Sequence, residues 1–184
     1  MNPITIFISL LRGINVSGYR VIKMDALKSA CSEIGLENVR TYVQSGNLVF
    51  ESNLSDIKEV SQSISRKIHE SFGFDVPVIT ITAKELEQVI AGNPFSKKSS
   101  MDSTFFHVAF LSEAPNAQSI EKLQEIEVKR DEFALIGKAM YLYCPDGYSK
   151  SRLTNSFLEA RLKVTATTRN WKTTNELFRI ASGK

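Results

Sequence analysis

The sequence predicts an α+β protein made of two ferredoxin-like, βαββαβ-type halves, with mixed or antiparallel sheets and an extra C-terminal helix. Three observations lead there. A β-rich run at residues 4–11 is followed by a helical-period segment and then by two strands flanking the turn Gln44-Ser45-Gly46-Asn47. A similar order of elements recurs after residue 104. A polar stretch over 93–103 separates the two. Residues 1–92 are therefore expected as the first half, 93–103 as a linker, and 104–184 as the second half with the added helix, the whole forming one compact unit.

Ile4-Thr-Ile-Phe-Ile-Ser-Leu-Leu11 reads as a strand buried on at least one face. A loop with glycines at both ends follows, Arg12-Gly-Ile-Asn-Val-Ser-Gly18. Met24, Leu27, Cys31 and Ile34 then recur at helical spacing, and Gly35 closes that helix. Strands are expected at about 38–44 and 47–52. Ile57, Val60, Ile64 and Ile68 mark the next helix, and 76–82 the next strand. Thr82-Ala-Lys-Glu85 has the form of a capping box, and Gly92-Asn93-Pro94 ends the short helix it opens. In the second half, 105–111 is a strand. Ile120, Leu123 and Ile126 mark a helix, and 133–136 and 140–144 form a hairpin turning near Gly137. A helix is expected over about 152–162, and the last from about 171, with Trp171, Thr174, Leu177, Phe178 and Ala181 as its buried stripe.

Composition is that of an ordinary globular chain, 42% hydrophobic and 23% charged. No run approaches the roughly 20 apolar residues that span a bilayer. The N-terminus has neither the basic region nor the cleavage site of a signal peptide, so a cytoplasmic location is expected. Cys31 and Cys144, in a helical and a strand pattern, read as buried free thiols. The net charge of +3 is uneven. Residues 147–184 hold eight basic residues against two acidic, a net +6, which leaves −3 for the other 146. A basic end on an acidic body is the pattern of an anionic partner or of ordinary solvated side chains.

A right-handed first crossover makes the first two strands parallel, with the third antiparallel between them. The loop at Arg12–Gly18 and the turn at Gln44–Asn47 then leave from one edge of the sheet. Arg12, Asn15, Gln44, Ser45 and Asn47 are expected to converge there, with Ser17 close by. They form a ligand site, or they satisfy backbone groups within the two turns. The C-terminal part adds Lys150, Ser151 and Arg152 at an expected helix start, suited to a phosphate or carboxylate, with Ser151 as an N-cap in the alternative. Arg169 and Asn170 complete the set. One or both are expected to approach the first cluster at a cleft between the halves. Asn170 or Thr168 is also placed to cap the last helix, and Trp171 reads as a core anchor.

The blocks Leu10-Leu-Arg-Gly-Ile-Asn-Val16, Tyr42-Val-Gln-Ser-Gly-Asn-Leu-Val-Phe50 and Thr168-Arg-Asn-Trp171 resemble the signatures of the domain of unknown function 1697 family. Met24, Leu27 and the spacing of Pro145, Gly147 and Ser151 fit it too. The first loop departs from the family's Val-Gly-Gly at Ser17. The resemblance implies a compact α+β fold and supplies no activity.

Neither His69 nor His107 belongs to a metal-ligand pattern, and no cofactor is expected. The dinucleotide and P-loop glycine motifs are missing. The residues favour a binding protein for a phosphorylated ligand, nucleic acid or nucleotide. The alternatives are an enzyme on a small anionic metabolite, with Tyr148, Lys150 or His107 as its base, and purely architectural motifs in a protein that acts through a protein partner.

Overall fold

The computed structural model describes residues 4–183 of the chain. It separates into two compact units, Met1–Glu87 with Glu176–Lys184, and Gln88–Asn175.

The first unit contains β1 (Thr5–Leu11), α1 (Met24–Glu33), β2 (Glu37–Thr41), β3 (Asn47–Ser52), α2 (Ile57–Phe72) and β4 (Val78–Thr82). Its four-stranded sheet has the order β2-β3-β1-β4, and every neighbouring pair is antiparallel. Because β1 and β2 both oppose β3, they run parallel to each other, and their C-terminal ends share one edge. Strand β1 opens on Thr5-Ile-Phe-Ile8, a run of β-branched and aromatic residues that favour the extended chain. Phe7 and Leu11 enter the core with Leu48 and Phe50 of β3, the rings of Phe7 and Phe50 lying 5.9 Å apart. Helix α2 adds Val60, Ile64 and Ile68, spaced by four so that they share a face. The Asp56 side chain caps its first turn by accepting from Lys58 N–H, and Gly73 ends it at φ 80°. The Ser9 and Thr80 hydroxyls pair at 2.7 Å, which satisfies two buried polar groups inside the sheet.

Helix α3 (Ala83–Ala91) carries the chain into the second unit. The capping box is formed: Glu85 Oε2 accepts from Thr82 N–H at 2.8 Å, and Thr82 Oγ1 accepts from Glu85 N–H at 3.1 Å.

The second unit contains β5 (Phe106–Leu111), α4 (Ala117–Gln124), β6 (Glu132–Ile136), β7 (Ala139–Tyr143), α5 (Asn155–Leu162) and β8 (Ala166–Asn170). Its order, β6-β7-β5-β8, repeats that of the first sheet position for position, again with every pair antiparallel. Ala109, Leu111, Met140, Leu142, Leu158 and Leu162 lie at its core. Helix α6 (Trp171–Ala181) begins in this unit, and its residues from Glu176 onward belong to the first.

The structure corrects three expectations. Strand β8 occupies Ala-Thr-Thr-Arg-Asn, a stretch so polar that it read as a helix cap. Its threonines are nonetheless good strand formers, and Thr167 and Arg169 are buried in it. Helix α5 begins at Asn155 rather than near 152, with Thr154 as its N-cap accepting from Phe157 N–H. Strand β2 stops at Thr41, three residues early. The segment 93–103 carries one 3-10 turn, Pro94–Lys97, and ends on the start of another, Ser103–Phe105. Phe95 is buried, its ring 6.1 Å from Phe106 and 6.4 Å from Tyr143.

Candidate functional site

In the first unit the loop after β1 and the turn between β2 and β3 meet, and hydrogen bonds show what joins them. Leu11 N–H donates to Gly46 O at 2.8 Å. The Asn15 side chain is fully used: Nδ2 donates to Ile22 O at 3.0 Å and to Gln44 O at 2.8 Å, while Oδ1 accepts from Ile22 N–H at 2.8 Å. Asn47 is completely buried, and its Nδ2 donates to Tyr42 O at 2.8 Å and to Ser45 Oγ at 3.0 Å. Asn15 and Asn47 therefore hold backbone in place. Gln44 and Ser45 are exposed, and Arg12 is half-buried with its N–H donating to Pro77 O.

The loop itself folds as a small hairpin. Asn15 N–H donates to Arg20 O, and Tyr19 N–H to Val16 O at 2.9 Å. Ser17 at φ 50° and Gly18 at φ 79° occupy the central positions of that turn, the signature of a type I′ reversal. Among the described residues seven other than glycine have positive φ, and Asn15, Ser17, Arg20 and Val43 of these two loops are four of them. Val43 at φ 50° is the most strained, since a β-branched side chain crowds its own carbonyl there. It is 47% exposed and gains little from burial. Val43→Asn is expected to raise stability by about 1 kcal/mol, because asparagine tolerates this conformation. Urea denaturation of the two proteins measures it.

In the second unit Lys150, Ser151 and Arg152 line a groove of about 680 Å³ together with Lys129 and Arg130. Glu127, Asp131 and Asp146 stand on its walls, so the charge there is mixed. Arg130 is held by Asp146 at 2.7 Å. The Arg152 guanidinium lies 5.2 Å from the Phe157 ring centre and donates to Glu127 O at 3.4 Å. Lys129 and Lys150 are exposed, and neither forms a salt bridge among the described residues. Ser151 does not begin a helix as expected: its Oγ accepts from Leu153 N–H at 2.9 Å, and it is buried. Lys129 and Arg130 escaped the sequence reading, although an adjacent basic pair between a helix and a hairpin was a visible signal.

Arg169 lies on β8 opposite Val108, buried, with Nη1 donating to Thr167 Oγ1 at 2.8 Å and to Thr168 O at 3.0 Å. Burial lowers its pKa to about 10. Asn170 is the N-cap of α6, its Oδ1 accepting from Thr173 N–H at 2.7 Å. Trp171 packs edge-on against Phe106 at 6.2 Å.

The possible bases are modest. His107 stacks on Tyr148 at 4.8 Å, and its Nδ1 donates to Phe105 O at 3.2 Å. Burial lowers its pKa below the ordinary 6.5, outweighing that hydrogen bond. The folded chain thus takes up the His107 proton less readily than the unfolded chain. The stabilisation is complete above pH 6.5 and is lost as pH falls through the lowered folded value. Wild type is expected to lose more stability than His107→Gln between pH 7 and about pH 5, as read by urea denaturation at each pH. Both thiols are free and buried, and burial raises Cys31 to about 12 and Cys144 to about 11. Such thiols are poor nucleophiles. Among the described residues no three His, Cys, Asp or Glu side chains group as metal ligands, and no helix is long and apolar enough to cross a membrane.

Two βαββαβ halves, with an asparagine-locked loop pair on the first sheet, define an α+β protein. The chain belongs to the family described as protein of unknown function (DUF1697), which matches residues 4–141. That span contains the first two signature blocks, and Pro145–Ser151 and Thr168–Trp171 lie beyond it. No curated protein matches the chain. A solved structure, the conserved bacterial protein SP0830 from Streptococcus pneumoniae, is similar with a TM-score of 0.76 at 21% identity, covering 97% of this chain and 99% of that one. At that identity the likeness is one of fold.

Proposed function

We propose that the chain is a binding protein for a phosphorylated ligand, a nucleic acid or a nucleotide, with the second unit's groove as the seat of the phosphate. The observation that carries this reading is the groove itself. Its volume of about 680 Å³ falls within the range of small-molecule sites. Lys129 and Lys150 bring exposed ammonium groups to its lining, and Arg152 brings a planar fork held over Phe157. Its lining carries four basic side chains against three carboxylates, a net positive balance that draws an anion.

For the first-unit cluster a specific observation favours the architectural reading. The Asn15 side chain is fully engaged with backbone, and the Asn47 amide nitrogen donates to Tyr42 O and Ser45 Oγ.

Isothermal titration of a nucleoside triphosphate and of inorganic phosphate at low salt tests the proposal. Lys129→Glu and Lys150→Glu change exposed side chains, so both should fold. Each is expected to weaken nucleotide binding about tenfold or more through charge reversal at the phosphate. Unchanged affinity in both variants would move the site elsewhere, and no heat from the wild-type protein would remove the reading.

A further inference from the structure

The hairpin at residues 13–22 of the first unit is built as a projecting element. Its tip is the hydrogen-bonded Val16–Tyr19 turn, and Asn15 ties its base to both Ile22 and Gln44. On this hydrogen-bonded support the chain exposes three large apolar side chains within six residues. Tyr19 is 77% exposed, Val21 63% and Val16 58%. Tyr19 is followed directly by Arg20, whose guanidinium lies beside Gly13. Backbone strain at Asn15, Ser17 and Arg20 is retained in the same few residues. Strain of this kind persists where the surroundings impose it, and it gathers at functional sites.

Charge decides between occupants. Residues 13–23 hold Arg20 and Lys23 and no acidic residue, while the rest of residues 1–87 hold seven basic against ten acidic. The hairpin is thus a basic spot on an acidic body. Two copies of it would repel, which argues against self-association through this surface. An anionic partner is drawn to it. The tyrosine ring narrows the class further, since at this exposure its face is open for stacking. Bases in a duplex are already stacked, whereas single-stranded bases are free to lie on a ring.

We infer that the Val16–Tyr19 hairpin docks single-stranded nucleic acid, Tyr19 stacking on a base while Arg20 and Lys23 meet the flanking phosphates. The inference goes beyond the groove of the second unit: it adds a separate contact on the first unit and rests on the phosphorylated-ligand reading only for the chemistry of the ligand. Gln44, whose backbone carbonyl accepts from Asn15 Nδ2, stands at the hairpin's base with an exposed side-chain amide able to meet a base edge.

Fluorescence anisotropy of a labelled oligothymidylate, alone and annealed to oligoadenylate, tests it at about 50 mM and about 200 mM salt. The single strand is expected to bind more tightly than the duplex, and more weakly at the higher salt. Tyr19→Ala is expected to weaken binding about tenfold, Tyr19→Phe to leave it within about twofold. Arg20→Ala is expected to flatten the salt dependence. These side chains are exposed, so the variants should keep the fold. Preference for the duplex, or equal binding by wild type and Tyr19→Ala, overturns the inference and leaves the phosphorylated-ligand reading standing. So does binding of a nucleoside triphosphate without any binding of the oligonucleotide. Failure of both ligands overturns both.

Discussion

Gly46→Ala is expected to destabilise the protein by about 3 kcal/mol, from two effects acting together. The first is conformational: Gly46 has φ 77°, where an alanine side chain crowds its own backbone. The second is space. A Cβ at this position would stand 2.7 Å from Leu11 Cβ and 2.7 Å from Ile14 Cδ1. The isoleucine tip can swing away. Leu11 Cβ cannot, because it is fixed to a strand end whose N–H donates to the Gly46 carbonyl. Relief therefore requires the turn and the strand to separate. Urea denaturation with an unchanged slope and a lowered midpoint is the expected result.

Asn47→Asp should be as damaging, at about 3 kcal/mol, and worse than Asn47→Ala at about 2 kcal/mol. Both remove the donor that satisfies Tyr42 O and Ser45 Oγ at a fully buried position. The aspartate keeps the shape but sets a carboxylate against the Tyr42 carbonyl, and it must ionise in a buried place or stay protonated there. The aspartate variant should accordingly recover part of its loss as pH falls, while the alanine variant should not. Denaturation midpoints of both variants at two pH values separate the two costs.

These two residues also answer why a turn between apolar strands reads Gln-Ser-Gly-Asn. Gly46 allows close approach, Asn47 ties the turn, and only Gln44 and Ser45 are left outward. Pattern and topology were enough to expect the meeting of the two loops, because the parallel relation of β1 and β2 follows from element order. Sequence could not show how the amides are spent. That depends on carbonyls of Ile22, Gln44 and Tyr42, and backbone groups leave no mark in a residue string. Strand β8 was hidden for a different reason. Its threonines, arginine and asparagine are polar, and burial of Arg169 comes from tertiary surroundings rather than from any periodicity. The groove likewise joins residues 127–131 to 146–152 across intervening strands, so only its second wall was visible as a basic cluster.

Whether phosphate seats in that groove is read residue by residue by NMR chemical-shift mapping with a nucleoside triphosphate. Backbone amides of residues 127–131 and 146–152 are predicted to shift in a saturable way, with less effect at higher salt. Shifts absent from both segments, while the ligand binds elsewhere or not at all, would contradict the assignment of the groove.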